Sequence, residues 1–314
     1  MESVACSCCG SLDAEVVFVG RDLLHGLPGD FPVRHCRDCG AFYLSPRPTQ
    51  GEIAYYYPED YAPHNIAAVA DHRTAWARWN LQYAMNKRLR AVSPYVREPG
   101  RVLDLGCATG NFLDNMRRLG WKPFGVEPNQ SAAAYARERF GLEIFCGELE
   151  QAGYPEGLFD LVTLWDVLEH LHNPHRTLME VARVTKAGGM LAINVPNPDG
   201  IEARLFGPYW AGWDVPRHLM VFPRPTLLRM LATLGFDQVK VTSFINNTGG
   251  LPLSLQFWLG VHTQYMVFPQ LATKLMTSWP ARLALTPYYS FLSRFNIASS
   301  MTIVAWRDAG PERE

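Results

Sequence analysis

The spacing of apolar and polar positions divides the chain into unlike stretches. Near the start, Glu15–Val19 and Phe31–His35 read as two short strands. From residue 95 onward, the apolar runs Val102–Leu105, Lys122–Glu127, Phe159–Trp165 and Met190–Val195 recur between helix-length amphipathic segments. That alternation predicts βα units laid into a mostly parallel, doubly wound α/β sheet. Thr226–Leu234 reads as an amphipathic helix stopped by Gly235, Val239–Phe244 as a strand, and Asn296–Trp306 as the closing strand.

Two further stretches fit neither pattern. Between residues 45 and 94, Ser45-Pro-Arg-Pro48 and Tyr55-Tyr-Tyr-Pro58 punctuate a linker. Ala67–Val92 then reads as a helical lid, with Trp76, Trp79, Tyr83 and Leu89 at near-helical spacing. The second stretch, 245–297, is an apolar helical insertion. No Asp, Glu, Lys or Arg occurs from Val241 to Thr273, yet Pro252, Gln256, His262, Gln264 and Pro269 interrupt the run. A bilayer span needs about 20 continuous apolar residues, so this segment is expected to pack over the sheet, lie on a membrane surface, line a tunnel for an acyl or prenyl chain, or pair with a second subunit.

Candidate chemistry starts at RVLDLGCATGNFL, residues 101–113. A strand runs into a tight turn with Gly106 and Gly110 around Cys107, Ala108 and Thr109, then into a helix. Glycine there lets the chain reverse and lets a ligand approach the backbone. A dinucleotide fold asks for Gly-x-Gly-x-x-Gly, and Ala108 and Asn111 depart from it. At the end of the next strand, Glu127 before Pro128 offers a carboxylate for both hydroxyls of a ribose.

Asp104, Gly106 and Gly110 resemble motif I of the class I S-adenosylmethionine (SAM)-dependent methyltransferases, Asp-x-Gly-x-Gly-x-Gly, with Ala108 as the departure. The resemblance continues through Phe159–Trp165 and Arg183-Val-Thr-Lys-Ala-Gly-Gly189, and covers roughly residues 95–245. It implies a seven-stranded Rossmann-like sheet over 95–314, SAM as cofactor, and cofactor contacts at Asp104, Gly106, Cys107, Ala108, Gly110, Glu127, Glu148 and Trp165. Glu148 matches the family's acidic residue near the adenine amine.

Seven cysteines are present, and Cys6, Cys8, Cys9, Cys36 and Cys39 crowd into the first 39 residues. Cys6-Ser-Cys-Cys9-Gly10 and Cys36-Arg-Asp-Cys39-Gly40 are two Cys-x-x-Cys-Gly knuckles. Their spacing suits a structural zinc held by Cys6, Cys9, Cys36 and Cys39 in a ribbon over 1–44, with Cys8 as an alternative to Cys9. The cysteine pairs, the Pro-Arg-Pro turn and the Tyr-Tyr-Pro turn ahead of these motifs are together similar to bacterial methyltransferases of polysaccharide and cell-envelope gene clusters.

Past the fourth strand stands Trp165-Asp-Val-Leu-Glu-His170. On a helix, Asp166, Glu169 and His170 share one face, and His218 can swing over the same pocket. Two mechanisms stay open. In one, His170 is a general base titrating near neutrality, with Glu169 as a second catalytic candidate. Alternatively, Asp166, Glu169, His170 and His218 hold a divalent metal, a set similar to the Glu-x-x-Glu-His…His site of plant-type small-RNA 2′-O-methyltransferases and to that of the ubiquinone-pathway O-methyltransferases. Trp213, Arg217 and His218, in an aromatic stretch at 205–222, are expected to bind the acceptor. His172 and His175 read as surface loop residues.

Composition narrows the partners. With 29 basic and 30 acidic residues, the net charge of −1 leaves no basic footprint for nucleic acid. The polar, cysteine-rich start carries no signal peptide pattern, which makes the cytoplasm, with the inner membrane face as an alternative, the expected location. The expected reaction is methyl transfer to a small-molecule hydroxyl, on a sugar or a lipid-linked envelope or quinone-like intermediate. The competing readings are a zinc-bearing RNA methyltransferase, a non-catalytic SAM-binding partner and an NAD-dependent oxidoreductase.

Overall fold

The computed structural model describes residues 1–58, 75–243, 247–262 and 267–309, without the side chains at 75–80, 247–249 and 267–269. Residues 67–74 of the expected helix, the side chains of Trp76 and Trp79, and residues 245–246 and 263–266 of the apolar segment lie outside that description.

Two sheets organise the chain. The larger comprises β4 (Arg101–Leu105), β5 (Lys122–Val126), β6 (Glu143–Phe145), β7 (Phe159–Trp165), β8 (Thr185–Pro196), β10 (Phe236–Thr242) and β11 (Ser300–Arg307). Its order is β10-β11-β8-β7-β4-β5-β6, parallel from β8 through β6, with β11 antiparallel to both neighbours. Covered on both faces, β4 and β7 are almost continuously buried, as parallel strands between helices require. At the edge, β10 leaves most of its residues partly or fully exposed. β5 and β7 flank β4 on opposite sides, so the chain reverses its winding there and opens a crevice at the carboxyl ends of the strands.

Helix α1 (Ala75–Val92) precedes β4, and α2 (Asn111–Arg118) and α3 (Gln130–Phe140) join the next strands. The Asn129 side chain caps α3 by accepting from Ala132 N at 2.9 Å, and Gly141, with φ of 65°, ends it. Helix α4 (Pro174–Val184) leads into β8; α5 (Ile201–Phe206) and α6 (Arg224–Thr233) precede β10. Between β10 and β11 lie α7 (Asn247–His262), α8 (Val267–Thr277), α9 (Trp279–Ala284) and α10 (Thr286–Arg294). None of the described helices is long and apolar enough to cross a membrane.

The smaller sheet, β1 (Ala14–Gly20), β2 (Phe31–Cys36) and β3 (Phe42–Leu44), is completed by β9 (Met220–Val221), which pairs with β3. The first 44 residues are therefore knitted into the larger unit. Thr226 Oγ1 and Arg229 Nη2 of α6 donate to Cys39 O at 2.6 and 2.7 Å.

Candidate active site

The turn after β4 is built as its glycines suggest, with one difference. Gly106 has φ of 66°, and a Cβ there would stand 2.6 Å from Val167 Cγ2, so only glycine leaves the turn open. Gly110, expected at the ligand, instead permits packing: a Cβ would meet Leu142 Cδ1 at 2.7 Å and Ala136 Cβ at 2.9 Å. Ala108 holds φ of 47°, a left-handed conformation unusual for a residue with a side chain. Its N–H donates to Glu127 Oε2 at 2.8 Å, while Asn129 N–H donates to Oε1 at 2.8 Å. Glu127 thus ties the tips of β4 and β5 together, and burial pushes its pKa up.

Asp104 is withdrawn from the crevice, 2% exposed beneath the turn. Its Oδ1 lies 2.6 Å from Thr163 Oγ1, which also lies 3.3 Å from Leu103 O. Burial raises its pKa to about 7. A protonated Asp104 can donate to Thr163, leaving the threonine hydrogen for the Leu103 carbonyl.

A cavity of about 820 Å³ opens over these strand ends. Gly106, Cys107, Ala108, Glu127, Glu148 and Trp165 line one part; Glu169, His170, His218 and Ser299 line another. The indole N–H of Trp165 is buried with no hydrogen-bond partner among the described residues, and Arg88 of α1 lies over its ring at 5.7 Å. Glu148 caps the turn at Leu149–Gln151 and accepts from the Gln50 side chain.

The segment at 166–170 does not form the helix that would align its three polar groups. Asp166 has φ of 59°, and only a single 3-10 turn, Leu168–His170, follows. Asp166 is held elsewhere: Asn194 Nδ2 donates to its Oδ1 at 2.5 Å, and Arg88 Nη2 lies 3.8 Å from Oδ2. The turn instead brings Glu169, His170 and His218 together, with one donor atom from each within 4.8 Å of the others. Leu219 N–H donates to Glu169 O at 2.8 Å and fixes the two segments against each other.

Each imidazole has its tautomer set by a carbonyl, which can only accept. His170 Nδ1 lies 3.0 Å from Arg217 O, with Tyr57 Oη at 2.8 Å; His218 Nδ1 lies 2.8 Å from Gly212 O. Both Nδ1 atoms carry the hydrogen, and both Nε2 lone pairs are left for another partner. Glu169 is 1% exposed, its Oε2 has no hydrogen-bond partner among the described residues, and burial followed by the Asp166 charge drives its pKa well up. Burial, then the neighbouring His218, pushes His170 down to about 3. That burial opposes protonation of His170, the residue expected as general base.

Two expected acceptor contacts are structural instead. Arg217 is fully buried, donating to Asp22, Asp214 and Tyr56 O, and Trp213 donates its indole N–H to Gly207 O at 2.9 Å while packing on Phe18 and Phe42. Trp213 packs on the small sheet, whereas Tyr209 lies against His262 of α7 and Trp210 donates to Ser299 Oγ. His172, expected on the surface, is partly buried on the cavity wall, with Nε2 lying 3.1 Å from Pro48 O. Tyr57, Arg88 and Arg176 also line the cavity; only folding brings them there, although the Tyr-Tyr-Pro turn marked the first.

The four sulfurs of Cys6, Cys9, Cys36 and Cys39 also lie within 4.8 Å of one another, Cys8 standing outside the group. Cys6–Cys39 and Cys9–Cys36 are separated by 3.5 and 3.6 Å, close to the edge of roughly 3.8 Å of a tetrahedron with zinc–sulfur bonds near 2.3 Å. Gly10 and Gly40, both at positive φ, donate to Cys6 O and Cys36 O, so the knuckles share one geometry. The Cys39 thiol is lowered to about 4 and Cys6 to about 6, first by hydrogen bonds from Cys8.

Comparison with known proteins agrees with this geometry. A family model described as a methyltransferase domain matches residues 76–241. A ubiquinone biosynthesis O-methyltransferase from Maricaulis maris is 32% identical over 177 residues, 52% of this chain and 67% of that protein. Among solved structures, a possible histamine N-methyltransferase from Thermotoga maritima superposes with a TM-score of 0.50 at 19% identity, covering 74% of this chain and 95% of the other. The [4+2]-cyclase SpnF superposes at 0.54 and 18% identity, covering 84% and 98%. At such identities these two show a shared fold alone.

Proposed function

The chain belongs to the SAM-dependent methyltransferases, and from that premise we propose that it methylates a hydroxyl of a small molecule, with Glu169, His170 and His218 holding a divalent cation beside the acceptor. The observation that carries the proposal is the pair of imidazoles. Each commits Nδ1–H to a backbone carbonyl, which is how protein metal sites orient histidine ligands. One donor atom of each imidazole lies within 4.8 Å of the other and of a carboxylate oxygen of buried Glu169, whose Oε2 has no hydrogen-bond partner among the described residues. A mixed carboxylate and imidazole set suits Mg²⁺, Mn²⁺ or Zn²⁺. Bound there, a cation supplies Lewis-acid polarisation of the acceptor hydroxyl.

The cofactor side rests on the backbone of Gly106, Cys107 and Ala108, with Glu127, Glu148 and Trp165 around it. The turn that a Cβ would fill and the Trp165 N–H, without a partner among the described residues, are the features that fit an adenosyl ligand. Each Glu127 oxygen accepts one backbone N–H and keeps a second lone pair for a ribose hydroxyl. Bound SAM brings a methyl group already activated by its sulfonium, so the chain's task is to orient the acceptor and exclude water.

The O-methylation named for the Maricaulis relative supports a hydroxyl acceptor, with a sugar or a lipid-linked envelope or quinone-like intermediate as the class. The balanced charge speaks against RNA. Cys6, Cys9, Cys36 and Cys39 hold structural zinc in this reading.

Calorimetry with SAM and its demethylated product, followed by transfer of labelled methyl to a panel of phenols, catechols and sugars, tests the assignment. SAM binding is expected in the wild type and a loss of roughly tenfold or more in Glu127→Gln, whose amide must oppose a backbone N–H. Methylation of a hydroxyl acceptor should fall sharply with a chelator and in His218→Ala. Transfer indifferent to both would sink the cation, and absence of SAM binding would sink the whole assignment.

A further inference from the structure

The helices between β10 and β11 repeat one surface pattern. α8 presents Leu271, Lys274 and Leu275; α9, Trp279, Arg282 and Leu283; α10 and the residue that ends it, Phe291, Arg294 and Phe295. In each, a bulky apolar residue is followed three positions on by a cation and four positions on by a second bulky apolar residue, so the three occupy one helix face. The six apolar side chains are between 50% and 64% exposed. α9 packs against both α8 and α10, so the three helices adjoin. Scattered exposed apolar residues are ordinary, but three adjoining helices with the same arrangement make a surface of one kind.

Charge identifies what that surface fits. From Gln238 to Arg307 the chain contains no Asp or Glu, so the only formal charges among these apolar pairs are positive. Twofold pairing of the face with itself would bring Lys274, Arg282 and Arg294 into one seam with the same cations of the second copy, without an acidic residue from these helices to offset them. A layer with an apolar interior under anionic headgroups complements both features: the Leu, Trp and Phe side chains enter the acyl boundary while the long cations reach back to the headgroups. With no described helix able to span, the contact is peripheral. We propose that α8, α9 and α10 form an interfacial surface that docks the protein on an anionic lipid bilayer.

Sedimentation of the full-length protein with vesicles of phosphatidylcholine and phosphatidylglycerol, against vesicles of phosphatidylcholine alone, tests this. Binding is expected to the anionic vesicles and to weaken with added salt. Lys274→Ala and Arg294→Ala should each lower the partition coefficient about fivefold, the worth of one cation near such a surface. Phe291→Ser with Phe295→Ser should abolish binding, and Leu275→Ser on α8 should weaken it without touching α10. SAM affinity, read in parallel, should stay unchanged in all of these, which separates failure of docking from failure of the cofactor assignment. The proposal is overturned by the absence of vesicle binding, by equal binding to both vesicle types, or by a solution dimer that Phe291→Ser dissociates while the wild type ignores vesicles.

Discussion

Arg217 and Asp22, 195 positions apart, meet at 2.7 and 3.2 Å with both side chains wholly shut off from solvent. Arg217 also binds Asp214 and the Tyr56 carbonyl, while Asp22 accepts from the backbone N–H groups of Leu24, His25 and Leu27. The pair is one of the bolts between the small sheet and the segment carrying His218. Arg217→Met strands two carboxylates, and a loss of about 3–5 kcal/mol is expected in urea denaturation. A loss under about 1 kcal/mol would show that the bolt carries no load.

Ala108 offers a test of backbone strain. Its φ of 47° penalises a side chain, by roughly 1 kcal/mol or more, whereas exchanging alanine for glycine elsewhere costs about 0.5–1 kcal/mol. Ala108→Gly is therefore expected to be neutral or to raise stability by about 0.5 kcal/mol, with SAM affinity retained. A clear fall in thermal stability would contradict it.

Asp104 predicts a pH dependence with a definite sign. Its pKa is raised to about 7 in the folded chain from an ordinary 3.8, so folding favours the protonated form. Its contribution is complete below about pH 4 and is lost as pH rises through 7. Without cofactor, Asp104→Asn should flatten the stability profile between these limits, a difference of a few kcal/mol at most. Parallel profiles for the two proteins would refute the assignment.

The cysteine cluster should be felt beyond the small sheet. Thr226 and Arg229 hang from the Cys39 carbonyl, so Cys36→Ser or zinc stripping should lower the thermal midpoint by several degrees and speed amide exchange at the start of α6. Purified protein should contain zinc by elemental analysis. Protein lacking any metal, with α6 exchange unchanged by Cys36→Ser, would remove the claim.

How much of this was legible in the sequence follows from the range of each interaction. The turn at Gly106, the carboxylate closing β5 and the two knuckles are local patterns, and local patterns can be read without the fold. The meeting of Glu169, His170 and His218 was only half readable: the left-handed backbone at Asp166 expels that carboxylate from the group, and no side-chain periodicity announces a positive φ on aspartate. Arg217 was misassigned because a buried cation and a ligand-reading cation look alike until Asp22 is found opposite. Tyr57 escaped because only the folded chain carries it to His170.

The two-residue strand Met220–Val221 has a consequence for anyone dividing the molecule. It begins two positions after His218 and supplies the last rung of the cysteine-bearing sheet. Excising residues 1–44 would strip that rung of its neighbour and unmoor the imidazole just upstream. Grafting the ribbon elsewhere would fail unless the 207–222 loop travelled with it, so the smallest transferable part is discontinuous in the chain.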